Sequence, residues 1–397
     1  MSAAAELSPD GTAKAGDPIS PALPRVLHFI YDTPANPWVG GGGSVRVHEI
    51  YRRLIGRVDA TIVTGNFPGA RYEAIDGVNY RRLGSAAPYA WSRLTYAAAA
   101  NRMLRTAAYD AALFDFSGYT PLFMPEGRPT GIVLHHLTAP TAHMRWGGIL
   151  SEMIGQLEKA MLRRATRISA TSLSSREAAE KIAPSIPIDM VSAGVPRELF
   201  EIRRRPQDFL LYFGRLDIFH KGIDTLLQAV ALIAKRRPSI ELRIAGRGAS
   251  ADKISAMISE LGLEKNVNLL GAVSDAERNN LLATAAVQLM PSRFEGFGLA
   301  AAEAMAAGVP LIAASVGSLP EVVDAPRGGV LVPPDDPKAL ASATEKLLDD
   351  PYGRSTLSIT ARESARRFSW IAVAEAHLQF INHVAAGGRS MTEASQK

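Results

Sequence analysis

Two glutamates frame a glycine turn and an alanine-rich run in Pro291-Ser292-Arg293-Phe294-Glu295-Gly296-Phe297-Gly298-Leu299-Ala300-Ala301-Ala302-Glu303-Ala304-Met305-Ala306-Ala307-Gly308-Val309-Pro310. Gly296 and Gly298 allow backbone amides to approach a ligand closely. The alanine run predicts a helix that starts near Gly298 and stops at Gly308, with Pro310 beyond the stop. The N–H groups at a helix start bind anions, phosphate above all. Either glutamate alone would be an ordinary solvated side chain, but neither belongs naturally on a helix this apolar. Upstream, Gly214-Arg215-Leu216-Asp217 and Lys221-Gly222 place two cations in a loop and at a helix start. A cation opposes the dipole there, so the placement points to a bound anion. Arg supplies a bidentate fork and Lys a point charge. In the first half, Gly131-Ile132-Val133-Leu134-His135-His136-Leu137 reads as a strand that ends in two histidines. Adjacent strand residues face opposite ways, so one histidine enters a given cleft. His136 is the first candidate, His135 the second, and His143 in the following loop a weaker third.

These groups require strands whose C-terminal ends lie together. Apolar runs at Arg25–Tyr31, Ala60–Thr64, Val78–Leu83, Ala111–Phe114 and Arg167–Thr171 read as strands of a first unit. Runs at Phe209–Phe213, Ile240–Ala245, Val267–Leu270, Ala285–Met290, Leu311–Ala314 and Val330–Val332 read as strands of a second. Helices alternate with them. One carries Val47, Ile50, Tyr51, Leu54 and Ile55 on one face; others span Trp91–Arg105, Glu152–Arg164 and Ser174–Ile182; a further one buries Leu226, Val230 and Ile233. Such alternation implies βαβ units and parallel sheets. Arg203-Arg204-Arg205-Pro206 marks a linker. The glycine run Gly40-Gly41-Gly42-Gly43-Ser44 follows the first strand in a phosphate-approach geometry, but without dinucleotide spacing or a Walker lysine. Asp335-Asp336 before an apolar helix reads as a turn and N-cap rather than a metal site. No other acidic cluster has ligand spacing, so no metal is expected.

The strand, glycine loop, alanine helix, Gly-x-Pro, strand frame carries Glu295 and Glu303 and continues into Gly317-Ser318-Leu319-Pro320-Glu321. It resembles the signature of the retaining GT-B glycosyltransferases of family four, the glycosyl transferases group 1. The resemblance implies an α/β chain of two Rossmann-like domains with parallel sheets facing an interdomain cleft. It places an acceptor-binding domain at 25–195, a linker at 196–207, a nucleotide-sugar domain at 208–368, and a helix at 369–385 that returns to the first domain, with Trp370 as its anchor. It implies that Glu295 touches the donor sugar and Glu303 the ribose. The backbone of Gly296, Phe297, Gly298 and Leu299 would hold the diphosphate, with Arg215 and Lys221 neutralising it. Gly41 and Gly42 would lie across the cleft, and His136 would stand near the reacting sugar. The family often follows that histidine with Asp, where this chain has Leu137. Gly246-Arg247-Gly248 and Gly271-Ala272-Val273-Ser274 would cradle the nucleobase. No cofactor is implied: the donor substrate is itself a nucleotide-diphosphate sugar, of UDP or GDP type, and the acceptor a glycan, lipid or small molecule. Transfer with retention, by same-face attack, would need no protein base.

Composition sets the remaining bounds. The 397 residues include no cysteine, which excludes disulfides and thiol catalysis and fits a cytoplasmic protein. Residues 1–24 and 386–397 lack apolar patterning and read as disordered tails. The net charge of +5 is carried by the first half: residues 25–200 hold 20 Lys or Arg against 14 Asp or Glu. A basic half suits peripheral contact with the anionic inner face of a membrane; without interleaved aromatics it does not suggest nucleic acid. The basic end of the Glu152–Arg164 helix also fits a plain solvated last turn. Two alternatives stay open: another GT-B enzyme, such as a nucleotide-sugar epimerase or a phosphorylase, or a non-catalytic or NAD-binding Rossmann protein. The missing dinucleotide fingerprint argues against NAD.

Overall fold

The runs Phe209–Phe213, Val287–Met290 and Leu311–Ala314 are apolar but for Gln288, and in the computed structural model of the chain they become neighbouring strands covered on both sides. The structure describes residues 23–33, 36, 42–70, 74–86, 88–116, 125, 127–137 and 148–394. Gly41 and His143 lie outside the described residues, as does the tail at 1–22.

The second domain holds one parallel sheet: β9 (Phe209–Phe213), β10 (Glu241–Ala245), β11 (Val267–Gly271), β12 (Val287–Met290), β13 (Leu311–Ala314) and β14 (Val330–Val332). Its order is β11-β10-β9-β12-β13-β14. Sequence therefore runs outward from β9 to one edge and from β12 to the other, and the direction reverses between these two strands. The first domain holds β1 (Arg25–Phe29), β2 (Asp59–Gly65), β3 (Ala74–Ile75), β4 (Val78–Leu83), β5 (Ala111–Asp115), β6 (Thr130–Leu134), β7 (Arg167–Ala170) and β8 (Ile188–Met190). Their order is β3-β4-β2-β1-β5-β6-β7-β8. All pairs there are parallel except β3 with β4, and the reversal falls between β1 and β5. The described residues between β2 and β4 form β3 rather than a helix, so that βαβ unit is missing.

Each sheet is a middle layer. In the first domain one face packs against the helices at Tyr89–Thr106, Gly148–Arg164 and Leu173–Ile182. The other face packs against Gly42–Tyr51 and the last helix, Trp370–Ala394. Val47, Ile50, Tyr51 and Leu54 are buried as the helical pattern requires, but Ile55 lies beyond the helix end and is exposed. In the second domain Leu226, Val230 and Ile233 enter the core from the helix Ile223–Ala234.

The chain passes between domains at two adjacent places. Val195 bridges Ser369, and its amide donates to the Phe368 carbonyl at 2.7 Å. Trp370 packs on Gly194, where an added Cβ would sit 2.2 Å from the indole. Gly194 is what admits the Trp370 side chain, which packs into the first domain's core cluster. The arginine stretch does not hang free. Leu199 packs into the second domain's core, and Arg204 donates to the carbonyls of Leu282 and Ala285. The last helix continues to Ala394 through the Gly387-Gly388 pair, past the tail boundary expected at 386. Helix propagation adds one hydrogen bond per residue and can run through two glycines once nucleated. Pro24 is also tied down, its carbonyl accepting from Asp59. Arg163, in the basic end of Gly148–Arg164, donates to the Ile182 carbonyl. Among the described residues no helix is long and apolar enough to cross a membrane.

Candidate functional site

Loops that follow β9 and β12 part at the point where the second sheet reverses direction, and such crevices hold ligands in open α/β sheets. Here they form a cleft of about 440 Å³. Arg215, Lys221, Ser292, Glu295, Phe297, Gly298 and Leu299 line it from the second domain, and Gly42 lines it from the first.

Lys221 and Glu295 form an ion pair at the base of the cleft, with side chains only 18% and 8% exposed. The Ser292 hydroxyl donates to the same carboxylate at 3.0 Å. Gly317 holds φ of +53°, and an added Cβ there would lie 2.3 Å from the Glu295 carbonyl oxygen. Lys221 closes the one-turn helix Ile218–Lys221, whose N-cap Asp217 accepts from the His220 amide. It also immediately precedes the next helix, capped by Gly222 at φ of +61°. The expected conflict with a helix dipole is thus softened, because a cation suits the end of the short helix it belongs to. Arg215 is mostly exposed, 3.7 Å from Asp217.

Arg293 fixes these loops together, a role not read from the sequence. Its guanidinium grips Asp224 through two bonds of 2.9 and 2.8 Å, reaches Asp335, and donates to the Ile218 carbonyl at 2.9 Å. It thereby binds the segment before Glu295 to the segment before Lys221. Asp336 caps the helix Pro337–Asp349 as expected, while Asp335 serves Arg293.

The alanine run forms the helix Leu299–Ala307, ended on both sides by left-handed glycines, Gly298 and Gly308. The N-cap Gly298 has no side chain to cap its start, so helix geometry leaves the amides of Leu299 and Ala300, which line the cleft, without intrahelical acceptors. The first domain comes down on this turn. A Cβ on Gly42 would be 3.1 Å from the Leu299 side chain, and one on Gly296 would be 3.4 Å from both the His136 ring and the His135 carbonyl. The structure thus brings together Gly42, His136, Gly296 and the helix start. Enclosure by the cleft walls, with the Arg215 charge acting in the same direction, holds the His136 pKa below its ordinary value.

Glu303 stands apart from the cleft lining, one turn into the helix, with its side chain 15% exposed and Arg278 at 3.6 Å. Burial raises its pKa to about 7, against the partial pull of Arg278. Between the unfolded value and about 7 the folded chain holds a proton that the unfolded chain has lost, so stability falls as pH rises through that window. Urea midpoints taken at about pH 5 and about pH 8 are expected to differ less in Glu303→Gln than in the parent protein. Equal differences would place the Glu303 titration elsewhere.

Glu321 crosses to the first domain. Its carboxylate accepts from the amides of Leu173 and Ser174, at 2.8 and 3.4 Å, at the start of the helix Leu173–Ile182. The loops Gly246-Arg247-Gly248 and Gly271–Ser274 lie at the ends of β10 and β11. There Gly246 and Gly248 press against the carbonyls of Gly214 and Leu216. Among the described residues no three His, Asp or Glu side chains are placed to hold a metal.

Comparison with known proteins gives a consistent picture. The family description "Glycosyl transferases group 1" matches residues 197–365, and "Glycosyl transferase 4-like domain" matches residues 41–194. D-inositol 3-phosphate glycosyltransferase of Corynebacterium diphtheriae is 35% identical over 205 residues, 49% of this chain and 48% of that protein. The chain spans about half the length of the curated relatives it matches. Among solved structures, sucrose-phosphate synthase of Thermosynechococcus elongatus superposes with a TM-score of 0.76 at 23% identity, over 91% of this chain and 99% of that one. The Anabaena protein HepE, solved with UDP-glucose, gives 0.69 at 20% identity, over 89% and 97%. At such identities the likeness is one of fold, and that fold is GT-B.

Proposed function

Since residues 197–365 belong to the glycosyl transferases group 1 and residues 41–194 to the glycosyl transferase 4-like domain, the chain is a member of that family, and we propose that it moves a hexosyl group from a nucleotide-diphosphate sugar to an acceptor hydroxyl, with retention and without a metal. The observation that carries this reading is the Lys221–Glu295 pair beside the uncapped start of the helix Leu299–Ala307. A cation, an acid and free amides converge where the sheet reverses direction.

Breaking the bond between the anomeric carbon and phosphate develops two charges. The leaving diphosphate gains negative charge, which Lys221, Arg215 and the amides of Gly298, Leu299 and Ala300 are placed to meet. These groups supply the positive field that a divalent ion would otherwise supply. The sugar becomes oxocarbenium-like; Glu295 accepts hydrogen bonds from its hydroxyls, and His136, held against Gly296, orients it from the first domain. Glu303 takes the ribose. The acceptor attacks from the face the diphosphate leaves, and the leaving phosphate oxygen takes the hydroxyl proton, so configuration is retained. Acceptor binding falls to the first domain.

The test is a melting screen with UDP-, GDP- and ADP-sugars, followed by product analysis. A ligand at about a hundred times its Kd adds ~2.7 kcal/mol to stability, a shift of several degrees. One nucleotide series is expected to stabilise the protein, transfer is expected to persist in EDTA, and the anomeric proton of the product is expected to show retention. Loss of activity in EDTA would end the metal-free reading. Turnover of donor to an epimer with no acceptor present would replace transfer by epimerisation.

A further inference from the structure

Behind the cleft, the first domain buries a polar chain that the mechanism above does not use. Asp115, the last residue of β5, is buried between two imidazoles. His28 Nε2 lies 2.5 Å from one carboxylate oxygen, and His135 Nε2 contacts the other. His28 Nδ1 is 2.9 Å from the Tyr51 hydroxyl, and His377 Nε2, from the returning helix, is 3.5 Å from that hydroxyl. The buried guanidinium of Arg46 donates to the carbonyls of Val191 and Ser192 and feels the charge of Asp115.

Protonation is constrained at each link. Burial would raise the Asp115 pKa, but the bonds from His135 and His28 win and hold it well below the usual carboxylate range. An ionised carboxylate only accepts, so both Nε2 atoms that touch it carry hydrogen. Burial keeps the Tyr51 hydroxyl protonated, leaving it to donate to His28 Nδ1. Burial also keeps His377 neutral, and its Nδ1 is buried with no partner among the described residues. When the His135 ring is neutral, its remaining nitrogen, Nδ1, is an acceptor, and it has no partner among the described residues. The ring is 28% exposed. A Cβ added at Gly43 of the glycine run would lie 4.0 Å from its Nε2, and the His135 carbonyl is pinned by the Ser175 hydroxyl at 2.7 Å.

We propose that Asp115 is a positioning residue that fixes the proton of His135 on Nε2, so that Nδ1 accepts a hydrogen bond from a second hydroxyl of a polyhydroxy acceptor, a sugar or a cyclitol. This rests on the transferase reading. There the attacking hydroxyl gives its proton to the leaving phosphate, so the hydroxyl that donates to His135 is a neighbouring one. A monohydric alcohol has none to offer. The two adjacent histidines divide the work, His136 toward the donor at Gly296 and His135 toward the acceptor.

The test has a spectroscopic arm and a kinetic arm, both on the full chain. With eight histidines in the sequence, long-range proton–nitrogen spectra of histidine-labelled protein resolve each ring, and His135→Gln assigns the missing one. His135 is expected as the neutral Nε2–H form, and Asp115→Asn, whose amide can donate to one ring, is expected to change that form. An imidazolium, an Nδ1–H form, or an unchanged spectrum in Asp115→Asn overturns the positioning role. The kinetic arm uses the sugar nucleotide that stabilises the protein most, with glucose, myo-inositol and glycerol as acceptors. His135→Gln keeps the atom at Nε2 but loses Nδ1, and is expected to lower the ratio of transfer to hydrolysis about tenfold, the worth of one hydrogen bond. His135→Asn, whose side-chain oxygen takes the place of Nδ1, is expected to recover part of it. An unaltered ratio, or no transfer by the parent protein to any of the three, overturns the acceptor assignment. Failure of every sugar nucleotide to bind would refute the transferase reading instead, and the spectra would still stand.

Discussion

Lys221→Ala is expected to weaken binding of a sugar nucleotide about a hundredfold, whereas Glu295→Gln is expected to leave that affinity equal or tighter while transfer falls at least as far. The asymmetry follows from the ion pair. Without ligand, Lys221 is neutralised by Glu295 in a place where both are mostly buried. Truncating one member of such a pair costs ~2–5 kcal/mol, much of it from the charge left behind. With Lys221 gone, the stranded charge is negative and faces the incoming diphosphate, so two penalties add. With Glu295 neutral, Lys221 is released from its counter-ion and turns to the phosphates, while the sugar loses the acceptor that steadies its developing positive charge. Titration calorimetry with the nucleoside diphosphate, alongside initial rates of transfer, separates the two. If both variants weaken nucleotide binding alike, the pair is a structural strut and the catalytic reading of Glu295 fails.

Much of this site could be read from spacing because it is local. The helix limits at Gly298 and Gly308, the cap at Asp336 and the strands around them depend on neighbours a few residues away, and periodicity reports those faithfully. What stayed hidden depends on partners far apart in the chain. Asp115 falls one residue past the expected end of its strand and looks like a loop carboxylate; its partners are 87 and 20 residues away. Arg46 sits on a helix whose apolar stripe says nothing of a guanidinium, yet it is buried under the loop at Val191. Arg293 and Glu321 have partners that local spacing does not name: one joins three loops and the other reaches the opposite domain. Where the sequence suggested a tail at Gly387, the helix had packing behind it to carry it onward. A pattern of apolar residues identifies a face, but only the closed fold shows which charge meets which.

Gly222 shows how a motif glycine can be recognised before its reason is visible, and it carries the largest expected effect on stability. It follows Lys221 with φ of +61°, where a side chain costs ~1–2 kcal/mol. A Cβ would also lie 2.1 Å from the carbonyl oxygen of Pro291, which is backbone and cannot rotate away. Either the helix junction at Gly222 or the chain at Pro291 must shift. Gly262 separates these terms, because its φ is +65° but nothing lies within 4 Å of the added carbon. Gly262→Ala is therefore expected to cost only the dihedral term, about 1 kcal/mol, and Gly222→Ala at least ~3 kcal/mol, a large part of the usual 5–15 kcal/mol margin. The displaced backbone continues from Pro291 into Ser292 and Glu295, while Lys221 stands on the other side of the clash. Gly222→Ala should therefore lose sugar-nucleotide binding even at temperatures where it stays folded. Melting curves of the two variants, with and without the nucleotide, decide the matter. Equal losses from both would mean that the chain at Pro291 yields freely, and the close approach of the Lys221 and Glu295 loops would not be what holds the cleft in shape.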